Sequence, residues 1–195
     1  MNTLTDILER ISGLEKELVE ELSLKHEELR YTIEAKRVWF SEEISLHHKE
    51  LAARFSDYVY DSGFLIILTV PIIWAALIPA FLLDFVVCLY QAVCFPVYGI
   101  PRVKRSEYIV LDRQSLQYLC WFEKFNCAYC GYFNGLMSFV REVGARTEQY
   151  WCPVRHARSV KSVHSRYKNF FDYGDAEAYR EGLKEVRVKF DDVKE

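Results

Sequence analysis

Apolar positions recur at a fixed interval through the first sixty residues. Ile7, Leu18, Leu29, Phe40 and Leu51 are eleven apart, and so are Ile11, Leu22, Ile33, Ile44 and Phe55. Eleven residues complete three helical turns at about 3.67 residues each, so such a stripe stays on one face of a nearly straight helix. No proline interrupts it, and Gly13 is the one glycine. The pattern predicts a long amphipathic helix over residues 1–60, a rod of roughly 70 Å from Ile7 to Phe55 at ~1.5 Å per residue. The stripe is narrow, which suits packing against a partner helix or a second copy of the chain. Lys25, Lys36 and His47 flank one side and His26, Arg37 and His48 the other. That bracket also suits a helix lying on an anionic membrane.

The pattern then changes. Residues 62–101 form an apolar segment in which Asp84 is the single charge. About 20 apolar residues are enough to cross a bilayer, and Ser62 to Leu83 meets that length without a charge. Phe85 to Pro101 is a weaker span, because it carries Tyr90, Gln91, Pro96 and Pro101. Two topologies compete, a single span and a hairpin that turns near Asp84. Arg102, Lys104 and Arg105 place the following residues in the cytoplasm. A charged N-terminal rod without an apolar leader favours the hairpin, with both termini cytoplasmic. Asp84 reads as a turn residue at headgroup level, or as an intramembrane polar group serving a proton or ion relay.

Residues 102–195 form a small helical module. "SEYIVLDR" reads as a short strand or an extended connection. A helix is expected from Asp112 as its N-cap through the cysteine pair, loosened at Gly131 and Gly135. A second is expected over "LMSFVREVGARTEQYW", broken near Gly144, and a third from Pro153 through "VRHARSVKSVHSRYKNFF". "DYGD" is a turn, and "AEAYREGLKEVRVKF" is a last helix. The fold class is therefore all-α, with little or no sheet.

Charge excludes some functions. The net charge is −3 over 195 residues. The chain as a whole has no nucleic-acid footprint, so no nucleic-acid partner is expected. Arg141, Arg146, Arg155, Arg158, Lys161, Arg166 and Lys168 make the middle of the last zone basic. They form a solvated face beside a membrane or a contact for anionic lipid headgroups. No phosphate-cradling glycine loop, G-x-S-x-G or H-E-x-x-H is present, so no reaction is named.

The cysteines carry the candidate chemistry. Cys127-x-x-Cys130 and Cys152-x-x-x-His156 supply three thiols and an imidazole, the donor set of a closed tetrahedral zinc site. Iron or an iron–sulfur centre is a competitor for the same ligands. Cys120 is a further ligand candidate, and Glu123, Glu142 and Glu148 are candidate ligands or acid/base groups at helical spacing. A thiol redox pair is another reading, although no βαβ setting accompanies the C-x-x-C. The bland alternative is that these cysteines are small buried hydrophobes among aromatics.

The phrases "EKFNCAYCGYFNG", "ARTEQYWCPVRHA", "HSRYKNFFDYGDAEAYR" and "YQAVCFPVYGIPRVKRSEYIVLDR" resemble a family of bacterial membrane proteins to which no activity is attached. The resemblance covers roughly Tyr90 to Arg180 and implies a bacterial inner-membrane protein. The expected protein is a membrane-anchored scaffold or adaptor. Its last module is stapled by a Cys127, Cys130, Cys152, His156 metal centre, and residues 1–60 bind a partner helix or a second copy. The alternative is a membrane-bound metal or redox enzyme acting on a lipid or quinone.

Overall fold

A computed structural model describes residues 3–28, 31–34, 37–52, 60 and 63–193. The described chain is mostly helical, as the pattern predicts, with one short hairpin. In order, the elements are α1 (Thr3–Glu28), β1 (Tyr31–Glu34), β2 (Arg37–Phe40), α2 (Glu42–Glu50), α3 (Phe64–Ala75), α4 (Leu77–Tyr98), α5 (Arg105–Tyr108), α6 (Trp121–Trp151) and α7 (Ala176–Val186). They form two compact units. The first comprises Met1–Ala76 and Val110–Tyr132, and the second Leu77–Ile109 and Phe133–Glu195.

The single rod expected over residues 1–60 is replaced by a helix, a hairpin and a shorter helix. "YTIEAKRVWF" is rich in β-branched and aromatic residues, which favour a pleated pair over a helix. The strands are antiparallel, with Tyr31 opposite Phe40 and Thr32 opposite Trp39. Ile33 and Phe40, two members of the eleven-residue rows, are therefore strand residues, while Leu29 and Phe55 lie outside the described residues. Within α1 the row members Ile7, Ile11 and Leu18 are 46–60% exposed, and Leu14 joins them on the surface at 62%.

Pro79 breaks the apolar segment, not Asp84. Proline cannot donate to the carbonyl four residues back, which here belongs to Ala75. The helix stops at Ala75, Ala76 donates to the Ile73 carbonyl at 3.2 Å, and α4 begins at Leu77 with Pro79 in its first turn. Asp84 lies inside an uninterrupted helix, so the turn expected there is absent.

In the second unit α4 ends in a glycine cap. Gly99 has φ +68°, and the Ile100 N–H reaches back to the Phe95 carbonyl at 2.9 Å. This is the Schellman arrangement, closed by an apolar pair at its two ends. Ile100 and Phe95 are both buried. Pro96 frees the Ala92 carbonyl, and Arg102 Nη2 donates to it at 2.9 Å. The chain then runs back along α4. Gln91 takes both backbone groups of Val103, accepting from its N–H at 3.0 Å and donating to its carbonyl at 3.3 Å.

Helix α6 is a single element of 31 residues. It starts at Trp121 rather than near Asp112, where Arg113–Ser115 forms only a 3₁₀ turn. Glu123 Oε2 accepts from the Cys120 N–H at 2.8 Å, half of a capping box with cysteine at the cap. The helix passes through Gly131, Gly135 and Gly144 without a break. In the second unit a Cβ on Gly135 would lie 2.5 Å from the Tyr108 carbonyl oxygen and 2.9 Å from Ile109 Cα. Glycine there admits the returning chain, and the break expected at Gly144 does not occur.

The third helix expected from Pro153 is absent. Val154 instead bridges Phe171 in parallel, with Arg155 N–H to the Phe171 carbonyl and Phe171 N–H to the Pro153 carbonyl, both 2.8 Å. Only Ser165–Asn169 makes a 3₁₀ turn. The last helix forms as expected, capped by the Asp175 carboxylate on the Ala178 N–H. Phe95, Leu136 and Phe139 are fully buried at the centre of the second unit.

Candidate functional site

The four candidate metal ligands are divided between the two units, Cys127 and Cys130 in the first and Cys152 and His156 in the second. Cys127 and Cys130 lie in the first half of α6, and Cys152 directly follows its last residue. Among the described residues no group of three or more His, Cys, Asp or Glu side chains is placed to hold a metal ion. Cys152 and His156 are exposed, and the His156 N–H donates to the Tyr167 hydroxyl at 3.0 Å.

The carboxylates have other partners. Glu123 caps α6 with Cys120. Glu142 is buried, accepting from Arg146 Nε at 2.9 Å and from the Ser165 hydroxyl at 2.6 Å. Arg146 also donates to the Pro101 carbonyl at 2.8 Å, so this pair fastens the returning chain to α6. Glu148 meets His164 Nε2 at 3.1 Å. Burial pulls the His164 imidazole below its ordinary value, and the nearby Glu148 charge offsets this only in part. Burial also raises the Tyr108 phenol, helped by the charge of Glu142.

The basic stretch divides into two sets. Arg146, Arg155 and Arg166 are buried, and each has a carboxylate partner: Glu142, Asp172 at 2.6 Å and Asp192 at 2.6 Å. Arg158 and Lys161 remain on the surface. The expected solvated face therefore shrinks, because ion pairing makes three of its cations internal. Gln149, which the pattern does not single out, is wholly buried. Its amide donates to the Val186 and Lys189 carbonyls at 3.0 and 2.7 Å and so docks the end of α7.

The most unusual surface belongs to α4. Its exposed positions are Ile78, Phe81, Leu82, Phe85, Val86, Leu89, Val93 and Val97, spaced to share one face. Its buried positions are Ala80, Asp84, Gln91 and Phe95. A soluble helix turns its apolar stripe inward and its polar residues to water. Helix α4 turns a stripe of apolar side chains outward and buries Asp84 and Gln91 beside Ala80 and Phe95, and each of these two polar groups is matched. Asp84 receives Arg105 through Nε at 3.0 Å and Nη2 at 2.6 Å, and Gln91 pairs with Val103. In the first unit α3 has no buried residue. Its Trp74 meets the Phe122 and Phe125 rings and places Nε1 3.4 Å from Asn126 Oδ1. Together Phe64–Tyr98 is long and apolar enough to cross a membrane.

No family model, no curated protein and no solved structure matches this chain.

Proposed function

We propose that the protein is a membrane-bound scaffold or adaptor of the bacterial inner membrane. The reading rests on one observation: α4 exposes its apolar side chains and buries Asp84 and Gln91. Water penalises such a surface at about 25 cal/mol per Å² of apolar area, whereas lipid does not. The basic residues Arg102, Lys104 and Arg105 favour the cytoplasmic face, with both termini on that side. Helix α1 supplies the adaptor element, because its Ile7, Ile11, Leu14 and Leu18 row is available to a partner helix or a second copy. The enzymatic alternative finds less support, since Glu123 is used as a cap, Glu142 is paired with Arg146 and Glu148 meets the His164 imidazole.

Fractionation tests the membrane reading. The full chain expressed in a bacterium is expected in the membrane pellet, to resist alkaline carbonate, and to be released by detergent. A monodisperse soluble protein in the absence of detergent overturns the proposal.

A further inference from the structure

We propose that helix α4 lies in the plane of one leaflet, its apolar stripe in lipid, and that the apolar segment does not cross the bilayer. This rests on the membrane reading above and specifies how the chain meets the membrane.

Crossing along α4 is opposed by what is tied to it. The chain that leaves Tyr98 runs back beside the helix as far as Asp84, where Arg105 is held. Fourteen residues of helix cover about 21 Å. A crossing helix would carry the backbone from Arg102 to Arg105 into the membrane, with Arg102 beside Ala92 and Arg105 at the depth of Asp84. Arg102, Lys104 and Arg105 are exposed in this structure, so in that position they would face lipid. Non-helical backbone is tolerated at membrane depth only where protein or a water-filled cavity surrounds it, and lipid-facing charge is expensive.

In the first unit α3 has 12 residues, about 18 Å, short of the ~20 residues that a span needs. Its Trp74 contacts Phe122, Phe125 and Asn126, and Glu123 and Lys124 lie between these in sequence. A span through α3 would bring those two charges into the hydrocarbon. Neither helix crosses without carrying the chain attached to it into the membrane.

An in-plane helix avoids both conflicts. Ile78, Phe81, Phe85, Leu89, Val93 and Val97 make a stripe roughly 28 Å long on one face. Interfacial helices immerse such a face by about 5–10 Å. The polar face then points away from lipid, where Asp84 and Gln91 hold the returning chain. Arg102 donates to the carbonyl of Ala92, an exposed residue beside Val93, so a cation sits at the border of the stripe, and Lys104 is exposed nearby in sequence. Their charge complements an anionic leaflet.

Depth along the stripe is the decisive measurement. Nitroxides are attached to F81C, L89C and V97C, each in the full chain with the native cysteines replaced by serine or alanine. The proteins are reconstituted in phosphatidylethanolamine–phosphatidylglycerol vesicles and probed with oxygen and a nickel chelate. An in-plane helix gives three depths within about 5 Å, whereas a crossing helix spreads Phe81 and Val97 by roughly 24 Å. A spread of that size overturns the proposal. Spin–spin broadening with little access to either reagent means a second copy covers the face, and also overturns it. If every label is open to nickel and carbonate releases the protein, the membrane reading itself fails. A second measurement uses the unmodified chain in inverted membrane vesicles with an impermeant amine reagent. Lys16 and Lys49, before the helix, and Lys161 and Lys184, after it, are expected to react from the same side. Reaction from opposite sides overturns the proposal.

Discussion

Arg105 grips Asp84 through two nitrogens on two oxygens, at 3.0 and 2.6 Å, across 21 residues of chain. This fork-on-fork pair holds the returning segment against α4, and the Cys88 thiol adds a contact to the same carboxylate at 3.4 Å. The carboxylate is 12% exposed and the guanidinium 44%. Removing either partner therefore costs less than breaking a fully buried pair. Asp84→Asn and Arg105→Gln are each expected to lower stability by about 1–3 kcal/mol, read by unfolding in detergent. The double variant is expected to be little worse than either single, which a double-mutant cycle measures.

Two glycines of α6 are expected to respond in opposite directions. Gly135→Ala drives a Cβ into the Tyr108 carbonyl, and the backbone there has no flexible end to move aside. A loss of about 2–3 kcal/mol is expected. Gly144 has nothing within 4 Å of its Cβ position, so Gly144→Ala relieves the helix of a poor former and adds about 0.5–1 kcal/mol. Thermal unfolding of the two variants side by side checks both signs.

Cys127 and Cys152 are expected to act independently. Cys127 lies in the first half of α6, Cys152 directly follows its last residue, and among the described residues no group of three or more donors is placed to hold a metal at either. The effects of Cys127→Ser and Cys152→Ser should add to within about 0.5 kcal/mol in the double variant. Elemental analysis of the purified chain should give the same zinc content for all four proteins. Strong non-additivity with loss of bound metal in each single variant would restore a shared centre, formed between copies.

His164 makes stability depend on pH. Its folded value lies below the ordinary 6.5, with burial the main cause. The unfolded chain therefore binds the proton more readily, and stability rises with pH between the folded and unfolded values. Stability is fully present above about 6.5 and falls as acid takes the pH below it. His164→Gln is expected to flatten that part of the profile. Asp192 acts at lower pH. Burial raises its carboxyl, but the Arg166 hydrogen bond and charge more than offset this and hold it below 3.8. Its contribution is present above the unfolded value and disappears as pH falls through the folded one.

The helical class, the apolar segment between Phe64 and Tyr98 and the final capped helix were all legible along the chain. Each depends on neighbours three or four residues apart, which periodicity records. The eleven-residue rows misled because spacing says nothing of local strand preference, and the β-branched and aromatic residues of Tyr31–Phe40 settled on a hairpin. The C-x-x-C and C-x-x-x-H pairs are of another kind. Their spacing suits a zinc site only where the fold brings the two pairs together, and spacing alone does not decide that.

By itself the sequence determined that residues 62–101 form an apolar segment with Asp84 as its single charge, and that Arg102, Lys104 and Arg105 come next. Only the tertiary structure decided that this basic segment returns alongside the helix instead of leaving its end. A side chain's hydropathy gives its preference for water or lipid, but which neighbour satisfies a buried carboxylate depends on contacts far apart in sequence. Asp84 reads as a turn or a relay until Arg105 is seen beside it. Gly135 reads as a weakness in a helix until the Tyr108 carbonyl is found 2.5 Å from where its Cβ would stand.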